Sequence, residues 1–157
     1  MKPTVYVETT IPSYLTAWPS RDLVRSAHQR LTKLWWRTRR RHFRLVVSQF
    51  VLDEAAGGDA IAAAARLKVL AGLPRLLITE EVAELAATVM LQGEFPPKAA
   101  QDAAHIAVAA VHGVDFLLTW NCTHINNAQL LPGIQQACRQ AGFHCPVICT
   151  PEELMTP

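Results

Sequence analysis

No apolar run in this chain of 157 residues approaches the ~18 that a membrane-spanning helix requires, so no transmembrane helix is expected. The opening stretch, MKPTVYVETT, lacks the long apolar core of a secretory signal, and a cytoplasmic location is the expectation. The cysteines, Cys122, Cys138, Cys145 and Cys149, form no CxxC pair. Structural zinc sites usually need closer pairing, and in a reducing compartment these thiols are expected to stay free rather than form disulfides. There is no glycine-rich phosphate loop of the P-loop or dinucleotide type: Gly57-Gly58 reads as a helix stop. Ser13 and Ser48 have no triad partner visible in the sequence. Repeats, low-complexity tracts and linkers are also missing. The net charge is only +2, so total charge does not announce a nucleic-acid partner.

Half of the residues are hydrophobic in type, which suits a single domain over 1–157 with its own core. Short apolar segments alternate with helical patterns. Thr4–Val7, Leu45–Ser48, Leu76–Ile78, Phe116–Thr119 and Pro146–Ile148 read as strands, too apolar to be exposed on one face. Between them, Ser20-Arg21-Asp22 can cap a helix reaching about Arg39, with Asp22 favourable in its first turn, while Asp59 can cap one over Ile61–Ala71 and Thr79 one over Glu80–Leu91. Pro12 favours a turn or a helix start. A helix is expected over Asn126–Ala141, although Pro132-Gly133 threatens its continuity. Thr150-Pro151-Glu152-Glu153 has the form of a capping box. The expected fold class is α/β: a three-layer α/β/α domain with a parallel sheet of about five short strands and helices on both faces.

The chemistry gathers around Ala99–Ile125. Its helix is apolar almost all round, as a buried helix is, yet carries Asp102 and His105 three positions apart on one face. The strand that follows ends in Thr119-Trp120-Asn121-Cys122-Thr123-His124. Ligands collect beyond the carboxyl ends of parallel strands. Glu8 ends the first strand, and Asn121 lies just past the fourth. Either Asp53 or Glu54, which point about 100° apart on a helix, can join them. Three carboxylates and an amide, with no lysine or histidine converging on them, form an oxygen-only cluster suited to Mg²⁺ or Mn²⁺. His105 can support such a site or the substrate, or can be a hydrogen-bonded core residue. His124 lies where it can touch an RNA phosphate. Arg37, Arg39, Arg40, Arg41 and Arg44 crowd together after Trp35 and Trp36. That run can track a phosphate backbone with the tryptophans stacking on bases, or can be a solvated helix end with Trp35 in the core.

Four stretches, VYVETT, SQFVLDE, QDAAHIAVA and FLLTWNCTHI, resemble in order and spacing the PIN-domain ribonucleases. That family includes the VapC-type toxins of toxin–antitoxin pairs. The resemblance spans nearly the whole chain. It implies an acidic pocket binding Mg²⁺ or Mn²⁺ and hydrolysis of RNA phosphodiester bonds, with a cognate antitoxin and a homodimer as expected partners. Glu8 stands at the first acid, usually Asp. Glu54 stands at the second, which selects it over Asp53. Asp102 stands at the third, and Asn121 at the fourth, usually Asp. These residues are the expected catalytic and metal-binding set. Thr9 matches the hydroxyl residue after the first acid and Thr119 the threonine of the strand-end motif; with His105, His124, Arg40 and Arg41 they are the expected substrate contacts. The usual second acid beside the fourth position is missing, with His124 near that point, so one ion is favoured over two. The alternative is a weakened module that binds RNA or a partner protein without turnover.

Overall fold

The computed structural model describes residues 1–156. In chain order the elements are β1 (Thr4–Val7), α1 (Thr10–Thr16), α2 (Leu23–Thr38), a short 3-10 helix (Arg40–His42), β2 (Arg44–Ser48), α3 (Gln49–Ala55), α4 (Ala60–Leu70), β3 (Arg75–Leu76), α5 (Glu80–Gln92), a second 3-10 turn (Pro97–Ala99), α6 (Ala100–Val111), β4 (Phe116–Leu118), α7 (Leu131–Gln140) and β5 (Val147–Cys149). Asp59 and Thr79 each accept a backbone N–H at the start of α4 and α5, as the sequence leads one to expect, and within Ser20-Arg21-Asp22 it is Asp22 that caps α2. Among the described residues no helix is long and apolar enough to cross a membrane.

All five strands are parallel, in the order β3-β2-β1-β4-β5. Thr4 lies opposite Arg44 on one side of β1, and Val7 lies opposite Leu118 on the other. The chain therefore adds β2 and β3 on one side of β1, then crosses over to place β4 and β5 on the other. Right-handed crossovers in opposite directions put successive helices on opposite faces of the sheet. The packing agrees: α1 meets α2 and α4, while α5 meets α6 and α7. The result is a three-layer α/β/α fold. The strands are buried on both faces, which is why Val5, Tyr6, Val7 and Leu117 are fully inaccessible. The reversal at β1 opens a crevice at the carboxyl ends of β1 and β4, the place where open α/β sheets collect ligands.

Small residues bring α6 close to its neighbours. Ala103, Ala104, Ala107, Ala109 and Ala110 are all buried, together with Ile106, Val108 and His105. A second close approach sits at the start of α7. A Cβ at Gly133 would lie 2.3 Å from the Gln92 carbonyl oxygen at the end of α5, so the backbones meet there only because the residue is glycine.

Several boundaries differ from the sequence expectation. Helix α7 begins at Leu131, not Asn126, with Pro132 in its first turn where a missing N–H costs nothing. Residues 126–130 instead form turns, tied by Asn127 accepting N–H groups from Gln129, Leu130 and Leu131. The third strand ends at Leu76: Leu77 and Ile78 are exposed beyond it. The Thr150–Glu153 capping hydrogen bonds form in both directions, but they close a turn rather than start a helix. Pro12 sits inside α1, so it marks a helix start.

Candidate metal centre

Glu8 follows β1 directly and is 4% exposed. Strand side chains alternate, so Tyr6 and Glu8 share a face of β1, and Ser48 shares it from β2. One Glu8 oxygen, Oε1, accepts from the Thr10 hydroxyl at 2.6 Å and the Thr119 hydroxyl at 2.5 Å. The other, Oε2, accepts the Thr10 backbone N–H at 3.1 Å. Burial pushes the Glu8 carboxyl above the usual range, against the charge of His105 and these donors.

Helix α3 leaves the end of β2 and carries Glu54 to the same place. Asp53, one position earlier, turns to the surface and accepts from Gln49 Nε2 at 2.8 Å. Glu54 Oε1 receives the Thr9 hydroxyl at 2.7 Å and contacts His105 Nε2 at 2.5 Å. Burial alone would raise the Glu54 carboxyl; the hydrogen bond and charge of His105, with the Thr9 hydroxyl, outweigh it and hold Glu54 below the usual range. Two neighbouring acids are thus pushed in opposite directions. Glu8, Glu54 and His105 each offer a ligand atom, and these atoms all lie within 4.8 Å of one another.

His105 is fully buried on α6. Its Nδ1 lies 2.7 Å from the Tyr6 hydroxyl, which lies 2.7 Å from Ser48 Oγ. With Glu54 ionised, Nε2 carries a proton toward it. In the neutral ring Nδ1 then accepts from Tyr6, and Tyr6 accepts from Ser48. The chain Ser48–Tyr6–His105–Glu54–Thr9 runs from the core to the site. Burial raises the Tyr6 hydroxyl well above its ordinary value, which keeps it a neutral donor.

Asp102 lies beside this group rather than in it. Its Oδ1 accepts from Asn121 Nδ2 at 3.0 Å, and its Oδ2 lies 2.9 Å from His124 Nδ1. Asn121 Oδ1 is occupied by the backbone N–H groups of Thr123 and His124. Thr119 joins the two clusters: its hydroxyl donates to Glu8 and accepts the Asn121 N–H at 2.9 Å. Trp120 anchors the loop between them. Its N–H donates to Thr10 Oγ1, its indole N–H donates to Thr32, and its ring stacks with those of His28 and Tyr14.

Of the residues singled out from sequence, Glu8, Thr9, Glu54, Asp102, His105, Thr119, Asn121 and His124 therefore gather at one edge, and four readings change. The cluster is not oxygen-only, because His105 reaches Glu54 and His124 reaches Asp102. Asn121 does not present its amide oxygen as a ligand; it presents N–H to Asp102. Arg40 and Arg41 lie at the opposite edge of the sheet, because they precede β2 and parallel strands share one polarity. Trp35 is fully buried, with its indole N–H on the Leu154 carbonyl, so it stacks on no base. Sequence reasoning missed Tyr6, Ser48 and Thr10. The available signal was a polar aromatic residue two positions before the acid in an otherwise apolar strand.

The Asn121 geometry carries a prediction. Asn121→Asp replaces a donor 3.0 Å from Asp102 with a second negative charge. In EDTA the variant is expected to lose about 1–2 kcal/mol of stability, and to regain more of it from Mn²⁺ than the wild type does. Thermal melts with and without Mn²⁺ check this; an unchanged melting temperature in EDTA would mean the side chain has turned away from Asp102.

No family model, no curated protein and no solved structure matches this chain.

Proposed function

We propose that the chain is a metal-dependent ribonuclease of PIN-like type, hydrolysing RNA phosphodiester bonds with one divalent ion held by Glu8 and Glu54. The observation that carries this reading is the convergence of Glu8, Glu54 and His105 within 4.8 Å at the crevice where strand addition reverses, with Asp102 alongside. The donor set fits a divalent cation: two carboxylates with an imidazole beside them, and no lysine or arginine ion-paired to either acid among the described residues. Both ring nitrogens of His105 are engaged, with Tyr6 and with Glu54, so the ligands are carboxylate oxygens, which suit Mg²⁺ or Mn²⁺. When bound, such an ion supplies Lewis acidity toward a phosphate oxygen and an acidified water.

The chain's own residues have separable tasks. Thr10 and Thr119 fix the Glu8 carboxylate, and His105 with Thr9 fixes Glu54. Asp102 holds the His124 ring through Nδ1, leaving Nε2 without a protein partner among the described residues. A histidine oriented in this way by a carboxylate is suited to proton transfer with a bound substrate. The four stretches that resemble PIN-domain toxins support a place as the toxin half of a toxin–antitoxin pair, with a cognate antitoxin and a homodimer as partners.

One observation favours a second reading, a module that binds without turnover. Every acid at the site already accepts hydrogen bonds from within the chain. Incubation with mixed single-stranded RNA separates the two. The first reading expects cleavage with Mn²⁺ or Mg²⁺ and none in EDTA. Equal cleavage with chelator contradicts it, and metal binding without cleavage supports the second.

A further inference from the structure

The arginine run belongs to another part of the molecule from the acids. Helix α2 starts near the site, where His28 stacks on Trp120, and runs back along the sheet. It delivers Arg37, Arg40, Arg41 and Arg44 to the edge where the strands begin. Arg44 is paired with Thr4 in the sheet, and its N–H donates to the Pro3 carbonyl, which brings Lys2 to the same edge. A strand the length of β1 separates this edge from Glu8 by about 13 Å at roughly 3.3 Å per residue.

All five of these cationic side chains are on exposed residues. None is ion-paired: among the described residues the acid–base contacts within 4.0 Å both involve histidines. An acid that does lie at this edge is Asp115, which precedes β4. The Thr4 N–H and hydroxyl donate to its carboxylate at 2.8 and 2.9 Å and hold it below its usual range, with smaller contributions from Arg44 and His144. Asp115 thus sits in the field of Arg44 and His144, with its hydrogen bonds taken by Thr4. Arg40 is further ordered by lying over the Trp36 ring, 5.0 Å from its centroid. A guanidinium held flat on an indole keeps its N–H fork directed outward at low entropic cost. The part-exposed ring beside it resembles the aromatic-plus-cation platforms that take single-stranded nucleic acid.

We infer that this basic edge, formed by Arg37, Arg40, Arg41, Arg44 and Lys2 around Trp36, is a second RNA-binding surface that grips the phosphate backbone away from the acidic crevice. RNA as the polyanion rests on the proposed ribonuclease activity; the unpaired cationic edge stands without it. The surface is sequence-independent, since arginines on phosphates carry position and affinity rather than base identity. It makes binding depend on RNA length: a strand must extend from the crevice past the start of β2 to use both.

The test is RNA binding in EDTA, where cleavage cannot interfere. Filter binding is measured against salt concentration for oligomers of about 4 and about 16 nucleotides. Arg40→Ala with Arg41→Ala is compared with a double variant of equal charge loss, Arg21→Ala with Lys68→Ala. For the long oligomer the first pair is expected to lower affinity at least about tenfold at 0.1 M salt. It should also reduce the slope of log K against log salt by about 1.4, at ~0.7 per lost phosphate contact. The control pair leaves the slope unchanged, and the short oligomer, with fewer phosphates to place, shows a smaller difference between the pairs. Equal effects of the two pairs, or no effect of the first, overturn the inference. If the slope difference appears in a protein that never cleaves RNA, the ribonuclease reading fails and the basic edge stands. If cleavage is metal-dependent but the slope does not move, the edge alone fails.

Discussion

Glu8→Gln is expected to slow Mn²⁺-dependent RNA cleavage by about a hundredfold or more, while the metal-free protein stays within about 1 kcal/mol of wild-type stability. The rate loss follows from removing a ligand, which costs at least as much as the ten- to hundredfold typical of residues one shell further out. The stability expectation follows from burial. Glu8 is almost wholly inaccessible, and burial already drives its carboxyl toward the protonated form. A neutral amide of the same shape fits the position without that penalty. It keeps an oxygen for the Thr10 and Thr119 hydroxyls and sacrifices only the longer bond from the Thr10 N–H. Cleavage rates with Mn²⁺ and melts in EDTA are measured on one preparation. A variant that cleaves normally but melts far lower would make Glu8 a structural acid.

The largest stability effect is expected from His105→Ala, about 3 kcal/mol, or roughly 6–12 °C in melting temperature for a chain of this size. The ring is fully buried, so truncation leaves a cavity in α6. It also strips Tyr6 of one hydrogen-bond partner and Glu54 of another. Tyr6→Phe isolates part of this: it removes only the hydroxyl between Ser48 and His105, at about 1–2 kcal/mol. A difference between the two variants smaller than about 1 kcal/mol would mean the imidazole is not the centre of the network.

The fold was legible because it depends on signals that lie close together in sequence. Short apolar strands separated by capped helices dictate a parallel, doubly covered sheet, and the caps Asp22, Asp59 and Thr79 act within three residues of themselves. Glu8 and Asn121 were placed at one edge by strand polarity alone. The same rule sets Arg40 and Arg41 at the far edge, because they precede a strand while the acids follow one. What could not be read were contacts between distant segments. Tyr6 meets Ser48 across 42 positions of chain and His105 across 99, with nothing local to announce either contact. Asp102 and His105 share a helix face, yet their side chains find different partners, Asn121 with His124 and Glu54. Side-chain direction beyond the shared face is set by tertiary packing. The late start of α7 has a local origin, since the Asn127 side chain accepts the Gln129 N–H and so offers the backbone there an alternative to helix.

The central claim is that Glu8 and Glu54 together hold a divalent ion. Electron paramagnetic resonance of free Mn²⁺ during a titration counts bound ions directly, without RNA and without turnover. Wild-type protein is expected to take up one Mn²⁺ per chain in a saturable step. Glu8→Gln and Glu54→Gln should each lose that step, while Asp53→Asn, whose carboxylate is turned to the surface, keeps it. Absence of saturable uptake by the wild type, or equal uptake by all four proteins, would contradict the account.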